Sequence, residues 1–237
     1  MKRLFADLHL LRLDRFTHPP EEELLDRYGA LLSPDERERQ ARPTLDKRRR
    51  EVLLTRALVR SVLSSYTGAD PRDWRFGVGA HGRPFVEGLP FDFNLAHTDG
   101  MIACLVSDAP SPGVDVEFMS RRGKLDEVAE HFFAKPECED LRRMGEAGKR
   151  RRFFDYWTLK EAYIKARGLG LVLPLDAFWF SLAGERPSIS FDSRIEDDPA
   201  AWRFETLELS ADHLCSVALK TPEPVDVQLV EAQLLQA

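Results

Sequence analysis

Lys149–Gly170 reads KRRRFFDYWTLKEAYIKARGLG, and Lys47–Gly68 reads KRRREVLLTRALVRSVLSSYTG. Each opens on a four-residue basic run, continues as a helix-forming segment and reaches a glycine at the same offset. Glycine is the usual stop there, because it accepts the left-handed backbone that closes a helix. Paired strand signals follow each stretch, with one cysteine in each set, Cys104 and Cys215. A repeated order of this kind predicts an internal duplication. The expected fold is α+β: two similar halves related by a pseudo-two-fold, each a small antiparallel sheet packed with a long helix. The junction falls near Ala109–Gly113, so the N-terminal half spans 1–110 and the C-terminal half 111–237.

Outward from the two long helices the chain reads in the same terms. Leu4–Leu13 alternates loosely and predicts a strand. Glu21–Leu32 has acids in its first turn and Leu24, Leu25, Leu31 and Leu32 at helical spacing. Ser33-Pro34 is an N-cap followed by proline at the first helical position. Thr44–Tyr66 is the first long helix, with Val52, Leu53, Leu58, Val59, Val62 and Leu63 as its apolar stripe. Arg49, Arg56 and Arg60 gather on its more polar side. Trp74–Phe76 and Arg83–Val86 read as short strands, and Phe91–Thr98 with Met101–Ser107 flank the hairpin signal Asp99-Gly100. Lys124–Phe133, Pro136–Gly145 and Arg150–Arg167 read as helices. Strands are expected at Ala177–Leu182, Ser188–Phe191, Trp202–Leu209, Leu214–Leu219 and Val225–Val230.

Composition bounds the function. The 237 residues are 43% hydrophobic and 31% charged, which suits a globular chain with a core. Met1–Arg15 lacks a signal-peptide pattern, and no apolar run is long enough to span a membrane. Three scattered cysteines and no CxxC argue against a disulfide framework and a zinc site, which points to the cytoplasm. A net charge of −6 with two local basic runs suggests specific anionic partners rather than nucleic acid; the runs read equally well as solvated helix faces. No Walker A sequence or kinase glycine loop is present.

The chemistry concentrates on two stretches. Trp157, Glu161 and Lys165 lie one turn apart on one helix face. In Gly113–Glu117, GVDVE, a strand turns Asp115 and Glu117 to one side and Val114 and Val116 to the other. Two carboxylates on a strand, a third on a helix and a lysine one turn on make a Mg²⁺–phosphate site, since Mg²⁺ takes hard oxygen ligands and shares them with phosphate. A cleft between two halves is a favoured ligand site. Taken singly the residues read otherwise: Glu161 and Lys165 as an ordinary surface pair worth roughly 0.2–0.5 kcal/mol, Trp157 as core, and the DVE segment as an edge strand.

Together, GVDVE and WTLKEAYIK resemble the two signatures of the 4′-phosphopantetheinyl transferases of the large, surfactin-synthetase-activating (Sfp-type) class. The family's fixed positions are filled by Gly113, Asp115, Glu117, Trp157, Thr158, Lys160, Glu161, Ala162 and Lys165. SPDERER (Ser33–Arg39), ALVRSVLSSY (Ala57–Tyr66), GRP (Gly82–Pro84), FNLAHTDG (Phe93–Gly100) and GLGLVLPLDAF (Gly168–Phe178) extend the resemblance over nearly the whole chain. It implies coenzyme A in the cleft between the halves and transfer of its phosphopantetheine arm to a serine of an apo carrier protein, releasing adenosine 3′,5′-bisphosphate. The carriers of the family serve fatty acid, polyketide or nonribosomal peptide synthesis. By this resemblance Asp115, Glu117 and Glu161 hold Mg²⁺ (or Mn²⁺) on the diphosphate. Glu161 or a metal-bound water takes the serine proton, and Lys165 steadies the diphosphate. Arg83 and His97 hold the nucleotide end, including its 3′-phosphate, Arg39 and an arginine among Arg48–Arg50, such as Arg48 or Arg49, add charge there, and Pro84, Thr98 and Lys160 complete the coenzyme A contacts.

The chain departs from the family in places. Ala96 stands where a serine that could bind the 3′-phosphate is common, with the Thr98 hydroxyl or the backbone as its replacement, and Glu36, repulsive to phosphate, stands where relatives often have lysine. Phe118, Met119, Arg121, Arg122, Lys124, His131, Phe132 and Phe133 suit an acidic carrier helix; the alternative is a packed helical hairpin. With its duplication in one chain, the protein is expected to act as a monomer.

Overall fold

The computed structural model describes residues 4–16, 20–40 and 46–235. In chain order, β1 (Ala6–Arg12) is followed by α1 (Glu21–Tyr28), α2 (Pro34–Gln40) and the long α3 (Asp46–Thr67). A two-residue ribbon, β2 (Gly77–Val78) with β3 (Pro84–Phe85), precedes the hairpin of β4 (Asp92–Thr98) and β5 (Met101–Ser107). The order then repeats: β6 (Gly113–Phe118), α4 (Leu125–Phe132), α5 (Lys135–Arg143), the long α6 (Glu146–Arg167), the ribbon β7 (Phe178–Ser181) and β8 (Ser188–Phe191), and the hairpin β9 (Trp202–Ser210) and β10 (His213–Lys220). The last strand is β11 (Val227–Glu231).

Sheet order repeats as well. β1 and β6 each pair antiparallel with the second strand of their hairpin, giving β1-β5-β4 in one sheet and β6-β10-β9 in the other. The long helices are both 22 residues. Each packs an apolar face on its own sheet: Leu53, Leu54, Ala57 and Leu58 of α3 in one core, Phe153, Phe154, Leu159 and Ala162 of α6 in another. A third core joins the sheets, with Leu8, Ala96, Ala103 and Leu105 against Val114, Val116, Cys215 and Val217. Val114 and Val116 thus take the inner face of β6, as the alternation of GVDVE predicts.

β4 and β6 meet along their edges through side chains. Asn94 Oδ1 accepts from the Val114 amide at 2.9 Å and Thr98 Oγ1 from the Phe118 amide at 3.1 Å. The partner positions advance together on both strands, so these edges run in the same direction. Unpaired strand edges are satisfied here without a ladder.

Two expectations are corrected. The first sheet is mixed, because β11 runs parallel to β1. β5 occupies one edge of β1, and the returning chain covers the other, fixed by the Ala232 amide to Leu10 O at 2.9 Å. Trp74–Phe76 is not a strand: Trp74 is drawn into the α3 core, its indole N–H donating to the Ser64 hydroxyl at 2.8 Å, and pairing begins only at Gly77. Among the described residues no helix is long and apolar enough to cross a membrane.

Candidate active site

The site begins with a missing side chain. A Cβ on Gly113 would lie 2.0 Å from Ala162 O and 2.7 Å from Ala166 N, so α6 rests directly on the start of β6. Only glycine on the strand and small residues on the helix allow that approach. Thr158, fully buried, bonds Ser216 of β10 at 2.7 Å and fixes the helix against the same sheet. Gly168, at φ +63°, ends the helix, its N–H shared by Ile164 O and Lys165 O. These contacts aim the outer face of α6 at the polar face of β6.

Lys165 Nζ lies 2.8 Å from Asp115 Oδ1, whereas Asp115 Oδ2 is buried with no partner. Glu117 Oε1 accepts from the Trp157 indole at 2.9 Å and lies 3.3 Å from Arg121. Burial pushes the Asp115 carboxyl up, opposed by Lys165. Burial and then the Asp115 charge push Glu117 up to about 7. The same two causes, in the same order, raise Glu161. All three carboxyl groups therefore resist ionisation, a sign of too little positive charge. Among the described residues no group of three or more side chains stands assembled as a metal cage.

From these carboxylates a groove leads away. An inner cleft of about 250 Å³ is lined by Glu161, Lys165, Arg83, Pro84 and Leu95 among others. An outer cleft of about 620 Å³ is lined by Arg48, Arg56, His97 and Thr98, and shares Pro84 and Leu95 with the inner one. The arrangement offers an acidic end, an apolar waist and a basic end, which suits an extended ligand with two anionic groups.

Residues 111–218 match the family model of the 4′-phosphopantetheinyl transferase superfamily. The chain is 32% identical over 222 residues to the 4′-phosphopantetheinyl transferase HetI of Nostoc sp., covering 91% of this chain and 88% of that one. It is 30% identical over 219 residues to the 4′-phosphopantetheinyl transferase Sfp of Bacillus subtilis, covering 92% and 95%. The chain belongs to the 4′-phosphopantetheinyl transferase superfamily. Its similarity to Sfp over most of both chains makes it an Sfp-type transferase.

In this transferase Lys165 meets Asp115, Glu117 follows Asp115 on the same face of β6, Glu161 and Lys165 line the inner cleft with Arg83 and Pro84, and Arg48, His97 and Thr98 line the outer one. Arg83 is also a clamp: its guanidinium donates to Lys165 O at 3.0 Å, to Asp92 at 2.9 Å and to Phe93 O at 3.1 Å.

Lys160 is a correction. It is wholly buried, with Nζ 2.8 Å from Glu137, 2.8 Å from Leu175 O and 2.6 Å from Phe178 O, so it faces the interior and not the groove. Glu137 had no sequence signal beyond its place after Pro136; its partners lie far along the chain. Arg49 is half-buried and does not line the groove. Arg39 falls in α2, and its side chain lies outside the described residues.

Ala96 points into the core between the sheets, away from the groove. Glu36 is neutralised by Arg56 at 3.3 Å and Arg60 at 2.7 Å. The basic run at Lys149–Arg152 is tied down: Lys149 to Asp126, Arg150 to the carbonyls of Met119 and Arg121, Arg151 to Asp155 and Glu208, and Arg152 to Asp140. Phe133 is core, Phe132 packs against it, and His131, Arg122 and Lys124 are exposed.

Proposed function

We propose that this transferase moves the 4′-phosphopantetheine arm of coenzyme A to a serine hydroxyl of an apo acyl, peptidyl or aryl carrier protein, with a divalent cation, and releases adenosine 3′,5′-bisphosphate. The observation that carries the reading is the acidic cluster: a buried, unpartnered Asp115 oxygen beside two carboxyls, Glu117 and Glu161, whose ionisation its charge opposes. Hard oxygens in a partly buried site short of positive charge suit Mg²⁺, or Mn²⁺ with the same donors, and Asp115, Glu117 and Glu161 would hold it. When bound, the cation neutralises charge developing on the diphosphate.

The chain's own residues do the rest. Glu161 accepts the serine proton as the general base. The serine oxygen bonds to the phosphorus attached to pantetheine. The bond from that phosphorus to the bridging oxygen breaks, and its electron pair leaves with the bisphosphate. Lys165, at the inner cleft, steadies the diphosphate oxygens as a point charge. Arg48 and His97 meet the nucleotide at the outer end.

The carrier faces the end of β6 and the loop after it, where Phe118 and Met119 are half-buried and Arg122 and Lys124 exposed. We read the protein as a monomer acting in the cytoplasm; its two similar halves in one chain and its three unpaired cysteines support this. The test is the intact mass of an apo carrier protein incubated with the chain, coenzyme A and Mg²⁺. A gain of one phosphopantetheine, lost without metal and with Glu161→Gln, is expected. Equal gain with Glu161→Gln would remove that residue from the reaction.

A further inference from the structure

Among the described residues, three cations line the basic end of the groove, and they are not equivalent. Lys47 is engaged by Asp99 at 2.7 Å. Arg48 is exposed near the start of α3, with no ion-pair partner among the described residues. Arg56 sits deeper, its side chain 27% exposed and its Nε 3.3 Å from Glu36 Oε1.

Glu36 is a firm mount. Its Oε2 accepts from the Ser33 amide at 2.9 Å and from Arg60 Nη2 at 2.7 Å, and the Ser33 hydroxyl accepts from the Glu36 amide at 3.3 Å, a reciprocal cap on α2. Arg60 is 1% exposed, stacked over Phe76 at 4.8 Å, and keeps Nε and Nη1 without partners. One carboxylate between two guanidiniums leaves a net positive cluster with unused donors. Arg56 faces both the outer cleft and a second cavity of about 250 Å³ shared with Arg60 and Arg75. Alone, Glu36 would repel an anion; in this cluster it fixes the direction of the arginine that attracts one.

We infer that Arg56 reads the 3′-phosphate of coenzyme A and that Glu36 is the positioning residue that aims it. This rests on the groove being the coenzyme A site. The diphosphate belongs with the carboxylates and Lys165, and Pro84 with Leu95 forms the apolar waist between the clefts. The remaining anionic group of the ligand, a phosphate monoester on the ribose, then falls at the basic end. A guanidinium held on one side by a carboxylate presents its remaining N–H groups to phosphate in a fixed plane, which an exposed Arg48 with no such mount does not.

The experiment measures dissociation constants of the full chain, with Mg²⁺, for coenzyme A and for 3′-dephospho-coenzyme A by calorimetry. The wild type is expected to prefer coenzyme A. Arg56→Gln should cut that preference by about ten- to hundred-fold while changing dephospho-coenzyme A affinity by less than about threefold. Glu36→Gln should cut part of the preference, an effect that a purely structural role, weakening both ligands alike, would not produce. The exchange Glu36→Arg with Arg56→Glu should restore part of it. If Arg56→Gln does not fold, Arg56→Lys is read in its place and must also lower the preference.

An unchanged preference, or equal weakening of both ligands, overturns the inference. A wild type that binds both ligands equally overturns it while leaving the groove reading intact. A wild type that binds neither removes the coenzyme A site itself.

Discussion

Glu117 is the residue whose titration reports most directly on the acidic cluster. Burial and the neighbouring Asp115 hold its carboxyl up at about 7 against an ordinary 4.5. Between those values the folded chain keeps a proton that the unfolded chain has lost. The stabilisation from this proton is complete below 4.5 and disappears as pH rises through about 7. In metal-free protein, Glu117→Gln is therefore expected to gain stability relative to wild type as pH is raised across that window, read as midpoint differences in urea unfolding. Saturating Mg²⁺ above that window should bring the wild type back up and leave Glu117→Gln largely unmoved. A parallel pH course for the two proteins would mean that Glu117 ionises without strain. Lys160 shows the opposite arrangement at the same scale: a buried charge with every partner supplied by the chain, leaving nothing for a ligand.

At the scale of elements, the site is the crossing of α6 over β6. The crossing is close because Gly113 leaves room for the backbone of Ala162 and Ala166. Gly113→Val places carbons where the helix carbonyl stands, and α6 must move away or tilt. Overpacking of this kind costs about 1–3 kcal/mol or more. The expected outcome is a folded but less stable chain whose carrier modification falls far more than that of a control such as Gly184→Ala, in the exposed turn between β7 and β8. Wild-type transfer by a stable Gly113→Val protein would show that the helix does not need this contact to bring Glu161 and Lys165 to Asp115.

For the whole molecule, the seam between β4 and β6 decides whether the groove exists, because its walls come from both halves. Asn94 is 4% exposed, accepts the Val114 amide and lines the inner cleft. Asn94→Leu leaves that amide buried and unpaired, at a cost of about 1–3 kcal/mol. Chemical denaturation should show that loss, with Asn94→Asp, which keeps the acceptor, closer to wild type. Equal stability of Asn94→Leu would assign the seam to the apolar core alone. β11 adds to the same closure by returning from the second hairpin to the first sheet.

Much of this was legible in order and spacing. Two basic-run helices ending in glycine predict the repeated halves, and the period of GVDVE predicts which side chains share a face, since both follow from local geometry. Asp115, Glu117, Glu161 and Lys165 could be selected because their chemistry and spacing are written on two short segments. Lys160 could not be separated from Lys165 by type, because burial depends on which segment packs over it, and that segment, with Glu137, lies elsewhere in the chain. The parallel strand β11, the side-chain seam at Asn94 and the pairing of Glu36 with Arg56 are likewise contacts between distant positions. The sequence alone determined the repeated order of elements and the chemical groups of the candidate site. Only the tertiary structure decided which of those groups face the groove, since facing and burial are set by long-range packing that no local pattern encodes.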